Sequence, residues 1–303
     1  MAIQVSTSTM YDSALRRMSA LQSKANDLMT QNATGKRFVK PSDDPTAAAQ
    51  VAQLDRADAD AAVYTSNLSL AKSVLQQVDT TLGSIGDQLK NAVELATKAA
   101  NGTLNDYDRS VIGDQVAAIR DQLVQLGNTR DIRNQPLFGT VDGTDPVQSN
   151  GGTITYSEPK VSAVPIDRDQ TVEITAGAQQ IFQSGGTDTF TVLNNLITAL
   201  KTPKATGGSA ASDTIRNSID QLNAANNNVG VVQASIGARQ TRVELQQTLM
   251  TTAATDRASL RSAVSDADIA SNIAQLQQTM TVLQATQASF TKLSSLSLFD
   301  YLK

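Results

Sequence analysis

All seven prolines of the 303-residue chain fall at Pro41, Pro45, Pro136, Pro146, Pro159, Pro165 and Pro203, so residues 1–40, 46–135 and 204–303 contain none. Proline breaks a helix interior because it lacks the amide hydrogen and its ring clashes with the preceding turn. Three long tracts are therefore open to unbroken helices. The stretch between them is not: nine of the 17 glycines and four of the prolines crowd between Gly139 and Gly208. The predicted order is helix, break, helices, an irregular middle, then helices.

Within the proline-free tracts, apolar residues recur at alternating spacings of three and four. Near the N-terminus the run is Tyr11, Ala14, Met18, Leu21, Ala25, Leu28. A longer one passes through Tyr64, Leu68, Ala71, Leu75, Val78, Leu82, Ile85 and Leu89, and a third through Ile112, Val116, Ile119 and Leu123. The last is Ile269, Ile273, Leu276, Met280, Leu283, Gln287, Phe290. Sustained heptads of this kind predict coiled-coil or bundle packing rather than an isolated amphipathic helix. Residues 212–257 carry one apolar stripe (Ile215, Leu222, Val229, Ile236, Val243, Met250) beside a polar one (Asn226, Gln233, Gln240, Gln247). Polar seam residues lower stability and fix register.

Boundary residues agree with this division. Asp44-Pro45 places a cap before proline at the first helical position. Asn101-Gly102 ends the helix begun there, about 80 Å long at 1.5 Å per residue, and Asn105 or Asp106 caps the next. Ser265 and Asp268 read as a capping box opening the last helix. In the middle the period changes to two, with strands expected at Thr153–Tyr156 and Thr171–Thr175. Asp188 is expected to cap a short helix carrying Phe190, Leu193, Ile197 and Leu200. The fold class is mainly α, an elongated helical rod with a terminal coiled coil and a small β-rich insert. The expected domains are 1–31 with 268–303 as the coiled coil, 32–45 as an extended linker, 46–138 with 204–267 as the rod, and 139–203 as the insert.

Composition removes several function classes. The chain has no His, Cys or Trp, so imidazole and thiolate metal ligands are absent, as are Ser-His and Cys-His nucleophile pairs. The acidic pairs Asp43-Asp44 and Asp266/Asp268 stand at helix starts, where carboxylates favour the dipole; we read the chain as a non-enzyme with no cofactor. A net charge of −4 argues against a nucleic-acid partner, which asks for clustered Lys and Arg. No stretch approaches the roughly 20 apolar residues of a membrane span. The polar start lacks the basic and apolar regions of a cleaved Sec signal.

The two ends are expected to pair. The N-terminal stripe holds only four large apolar side chains, each contributing roughly 1.5–3 kcal/mol when fully buried, against roughly 1–2 kcal/mol per ordered residue. From Ala267 to Phe299 the last helix carries only Asp268 and Lys292 as charges, which suits a helix covered on several sides. Both helices order best together and against neighbouring copies. The tail, with Leu296, Leu298, Phe299, Tyr301 and Leu302, reads as a surface for a partner or chaperone.

Several of these stretches also match a family. Thr7–Asp12, then Thr34-Gly35-Lys36-Arg37, then Pro41-Ser42-Asp43-Asp44-Pro45, resemble the opening of the flagellar hook-filament junction proteins (hook-associated protein 3). The ending Leu296–Leu302 is similar to that family's terminus, and Phe190–Leu200 to its insert. Ala33 stands where the family usually has Ser. Flagellin shares the layout, but Gly35-Lys36-Arg37 and Asp44-Pro45 follow the junction pattern. The resemblance implies a flagellin-like fold whose terminal coiled coil lines the inner wall of a tube. It implies an extracellular subunit exported by the flagellar type III route. Its partners would be the hook-side junction protein, flagellin, neighbouring copies of itself and a cytoplasmic chaperone on the C-terminal region. The alternative is a flagellin or minor filament subunit.

Overall fold

The structure is a computed structural model that describes residues 2–139, 143–150, 153–158 and 163–300, with the side chains of residues 2–8, 150 and 293–300 outside the description. Among the described residues seven helices and six short strands follow in the order α1 (Ala2–Thr34), α2 (Pro45–Ala100), α3 (Asp106–Gly127), β1 (Val147–Asn150), β2 (Thr153–Tyr156), β3 (Ala163–Asp167), β4 (Gln170–Glu173), α4 (Ala178–Phe182), β5 (Gln183–Ser184), β6 (Thr187–Asp188), α5 (Thr189–Lys201), α6 (Lys204–Ser265) and α7 (Ile269–Asp300). The chain divides into two compact units, Met1–Ala59 with Thr252–Lys303, and Asp60–Thr251.

The larger unit is built on the predicted stripes. Leu68, Leu75, Leu82, Ile85 and Leu89 of α2 are fully buried, as are Val116 and Leu123 of α3 and Leu222, Ile236 and Val243 of α6. The polar stripe of α6 works as register: Gln233 Nε2 donates to Asp79 Oδ1 of α2 at 2.9 Å. Arg109, buried on α3, donates to the Ala199 carbonyl near the end of α5 at 2.8 Å. That bond satisfies a terminal carbonyl lacking a partner within its own helix.

The sheet content is three separate antiparallel pairs, β1–β2, β3–β4 and β5–β6. The strand expected at Thr153–Tyr156 is β2, and that expected at Thr171–Thr175 is β4, which ends at Glu173. The insert expected over 139–203 differs from a module with its own interior. Phe182, Phe190, Leu193, Leu196 and Leu200 join the same buried cluster as α2, α3 and α6. Isolated two-stranded pairs are marginal in water, so these hairpins depend on a helical core for burial.

Caps follow the chemistry of their residues. Asn105 accepts from the Asp108 amide at 2.7 Å to open α3, and Asp188 accepts from the Thr191 amide at 2.8 Å to open α5. The capping box read at Ser265 and Asp268 is not formed. Ser265 is instead the buried last residue of α6, while Asp268 alone accepts from the Ser271 amide at 3.1 Å to open α7.

Candidate assembly site

The smaller unit brings together both chain ends, the predicted linker, the first turns of α2 and the last turns of α6. Helices α1 and α7 pack antiparallel. At one end of the pair Tyr11 meets Phe290 edge to face, with ring centroids 5.4 Å apart at 88°. At the other, Asn272 Nδ2 donates to Gln31 Oε1 at 3.0 Å. Between them Ala25 and Leu28 of α1 and Leu283 of α7 are buried, while Met18, Leu21, Leu276 and Met280 are half-buried. Most of these large side chains are only half-buried, so two helices alone leave the seam thinly covered.

The seam on α7 holds the predicted Leu276, Met280, Leu283 and Phe290 but departs from the prediction in the first turns of the helix. Ile273 was expected inside it but is 44% exposed, and Ile269 is 39% exposed. Asn272 occupies the facing position, held by Gln31, and Thr279 is buried beside Leu283. Asp268 caps the first turn of α7, and one turn on the Asn272–Gln31 bond keeps position 272 rather than 273 against α1. The large residues Ile269, Ile273 and Val282 are left exposed on α7, with Met10, Leu15 and Met29 exposed on α1. Of the predicted tail residues, Leu296, Leu298 and Phe299 lie in α7 with side chains outside the description. Tyr301 and Leu302 lie outside the described residues.

The linker is a clasp rather than a free strand. Helix α1 runs on to Thr34, past the predicted linker start at residue 32. Gly35 then turns the chain with φ of 68°, a left-handed conformation that suits glycine. Lys36 forms an antiparallel bridge with Asp266. The Arg37 amide donates to the Ser265 carbonyl at 2.7 Å, and the Ala267 amide to the Gly35 carbonyl at 2.9 Å. Lys36 Nζ reaches both Ser265 Oγ and Asp266 Oδ1 at 3.2 Å. Arg37 Nη2 pairs with Asp44 Oδ2 at 3.0 Å, and Asp44 Oδ1 caps α2 by accepting from the Ala47 amide at 3.0 Å. Between them Asp43 Oδ2 accepts from the Lys40 amide at 2.9 Å, closing the turn through Pro41. Pro45 is the first residue of α2.

Three carboxylates here are held below the ordinary value of 3.8. The Lys40 amide lowers Asp43, the Ser262 hydroxyl and then Lys36 lower Asp266, and Arg257 followed by Arg261 lower Asp58. The last is part of a charged cluster in which Arg261 Nη2 lies 2.6 Å from Asp58 and 2.8 Å from Asp55. Sequence reasoning missed this cluster, although Asp55 and Asp58 share one helical face, as do Arg257 and Arg261. It also missed Gln31, which accepts from Asn272 and donates through Nε2 to the Arg37 carbonyl at 2.8 Å. One amide side chain therefore ties α1, α7 and the clasp together.

Among the described residues no cluster of His, Cys, Asp or Glu could hold a metal ion, and no helix is long and apolar enough to cross a membrane. What the arrangement offers is surface: a thin antiparallel pair, open apolar side chains on both helices, and a polar clasp at one end.

Residues 5–141 match the bacterial flagellin N-terminal helical region. The chain is 30% identical to flagellar hook-associated protein 3 of Escherichia coli, over 99% of this chain and 100% of that one. It is equally 30% identical to flagellar hook-associated protein 3 of Salmonella typhimurium, over 98% and 99%. A solved structure of a candidate flagellar hook-associated protein from Vibrio parahaemolyticus is 26% identical, with a TM-score of 0.66 over 74% of this chain and 100% of that one. The chain belongs to the flagellar hook-associated protein 3 family.

Proposed function

We propose that the chain is a structural subunit of the bacterial flagellum that joins the hook to the flagellin filament, assembling through its paired ends. The observation that carries this reading is the number of large apolar side chains left exposed around the α1–α7 pair: Met10, Leu15, Met29, Ile269, Ile273 and Val282. Exposed on more than one side of the pair, they are covered best by several neighbouring subunits at once. Growth of a tube requires heterologous contacts, in which one surface of each copy fits a different surface of the next. The partners in this reading are neighbouring copies, a hook-side junction protein below and flagellin above. A cytoplasmic chaperone covers the C-terminal helix before export through the flagellar type III channel. The subunit carries out no chemistry, and its work is mechanical.

Deletion of residues 1–30 or 270–303 tests the reading. Assembly onto hooks is expected to be lost while residues 46–260 keep their helicity by circular dichroism. Deleted chains that still cap hooks would overturn it. Growth of long homopolymers from a seed by the intact protein would assign the chain to filament instead of junction.

A further inference from the structure

The loop between α2 and α3 carries an Asn-Gly pair in a setting that points to covalent change rather than binding. Asn101 and Gly102 are both exposed, just past the end of α2 at Ala100. A methyl group on Gly102 would meet nothing within 4 Å, so the loop is open beside its α-carbon. The Asn101 side-chain carbonyl, Oδ1, accepts a long hydrogen bond of 3.5 Å from the Thr103 hydroxyl. On the next peptide, Lys204 Nζ donates to the Gly102 carbonyl at 3.0 Å and to the Leu104 carbonyl at 2.6 Å. An ammonium group is thus anchored on the loop that carries Asn101.

We propose that Asn101-Gly102 is a site of spontaneous deamidation, with Thr103 assisting. The Gly102 peptide nitrogen, on losing its proton to water or hydroxide, attacks Asn101 Cγ. The new C–N bond closes a five-membered succinimide as the bond to the side-chain nitrogen breaks, and that nitrogen leaves as ammonia after taking up a proton. Water then opens the ring at either carbonyl, giving Asp or isoaspartate. The net change is one amide and one water converted to one acid and one ammonia. The Thr103 hydroxyl donates to the oxygen on which negative charge develops, the role of an oxyanion donor. Glycine is the residue type that allows the attack, because a side chain there would crowd the ring.

The product alters the end of α2. A carboxylate at position 101 puts negative charge at the negative end of the helix dipole. Isoaspartate adds a methylene to the main chain and shifts the Gly102 carbonyl away from Lys204. Conversion therefore loosens the Lys204 anchor between the α2–α3 loop and the start of α6.

The intact protein is incubated at mildly alkaline pH and the 101-containing peptide followed by mass spectrometry, with isoaspartyl methyltransferase labelling. Asp and isoaspartate are expected to accumulate at least as fast as in a synthetic peptide spanning the same loop. Gly102→Ala, which the open space around Gly102 tolerates, is expected to suppress conversion. Thr103→Ala is expected to slow it severalfold with helicity unchanged. Retention of the amide in the folded chain while the peptide converts would overturn the site, and an unchanged rate in Thr103→Ala would overturn the hydroxyl's role.

Discussion

Gly35 turns the chain out of α1 with φ of 68° and open space around the position a side chain would take. Crowding therefore does not decide what a substitution does there, and backbone strain does. Gly35→Ala is expected to cost about 1–2 kcal/mol, the ordinary penalty for an L residue in the left-handed region, with Gly35→Asn costing less because Asn tolerates that region better. Thermal unfolding of the three chains checks the order. Gly127, at the end of α3, is the opposite case. A Cβ there would lie 2.7 Å from Val147 Cγ2 and 3.1 Å from Phe182 Cε2, so Gly127→Ala is expected to cost about 1–3 kcal/mol through overpacking. A break between α1 and α2 was legible from Pro41 and Pro45, but the stretch was read as an extended linker and the turn at Gly35 was not foreseen. Nor was the need for glycine at 127. It depends on Val147 and Phe182, which lie 20 and more residues away and meet α3 only once the insert is folded onto the helices.

At the scale of elements, α7 decides the most. Its heptad was legible from Leu276 to Phe290 but not in the first turns, because Ile269 and Ile273 fit the apolar template while Asn272 does not. There the amide pairing of Asn272 with Gln31 occupies the seam instead, and it has no apolar signature. This separates two roles on one helix. Ile273→Asn is expected to leave the α1–α7 pair folded, with helicity unchanged, and to weaken assembly onto hooks. Gln31→Ala is expected to do the reverse, loosening the pair in the monomer by removing bonds to both Asn272 and the Arg37 carbonyl. Circular dichroism of the monomer and an assembly assay, run side by side, tell them apart. Equal effects of both variants on helicity would contradict the division. Elements of the larger unit were more fully legible because their stripes are long and apolar and their caps are Asn and Asp.

At the scale of the whole molecule, the carboxylates with depressed values gather in the smaller unit, where Asp43, Asp58 and Asp266 hold the clasp and the α2–α6 charged cluster. Only Asp131, in a turn of the larger unit, joins them among the described carboxylates; burial opposes its ionisation, but the Gln135 amide and Arg133 outweigh it. For a group whose value is lower folded than unfolded, the stabilisation is complete above the unfolded value and is lost as pH falls through the folded one. The window therefore lies below the ordinary carboxylate value of 3.8. Protection of the Arg37 and Ala267 amides, measured against their intrinsic exchange rates, is expected to fall as pH drops below about 4, before the larger unit loses helicity. Asp266→Asn should show at neutral pH part of what acid does to the clasp. Salt should weaken these exposed pairs too, because screening acts strongly on charges open to water. Proline placement made the sequence order of helices legible, whereas the division into two units was not: both boundaries, at residues 59–60 and 251–252, fall inside unbroken helices.

The pairing of α1 with α7 has a consequence for the order of events in time. The first helix to leave the ribosome finds its partner in the last, and closing so long a loop in an unfolded chain costs several kcal/mol of entropy, about 5 kcal/mol on a logarithmic length dependence. Once α2 and α6 have met, the gap to be closed shrinks to the few residues of the clasp. Contacts of high sequence separation form late for this reason, so the terminal pair is the final step of folding. Until then the N-terminal stripe waits open through the synthesis of nearly the entire chain, and a nascent chain stalled before α7 would expose it.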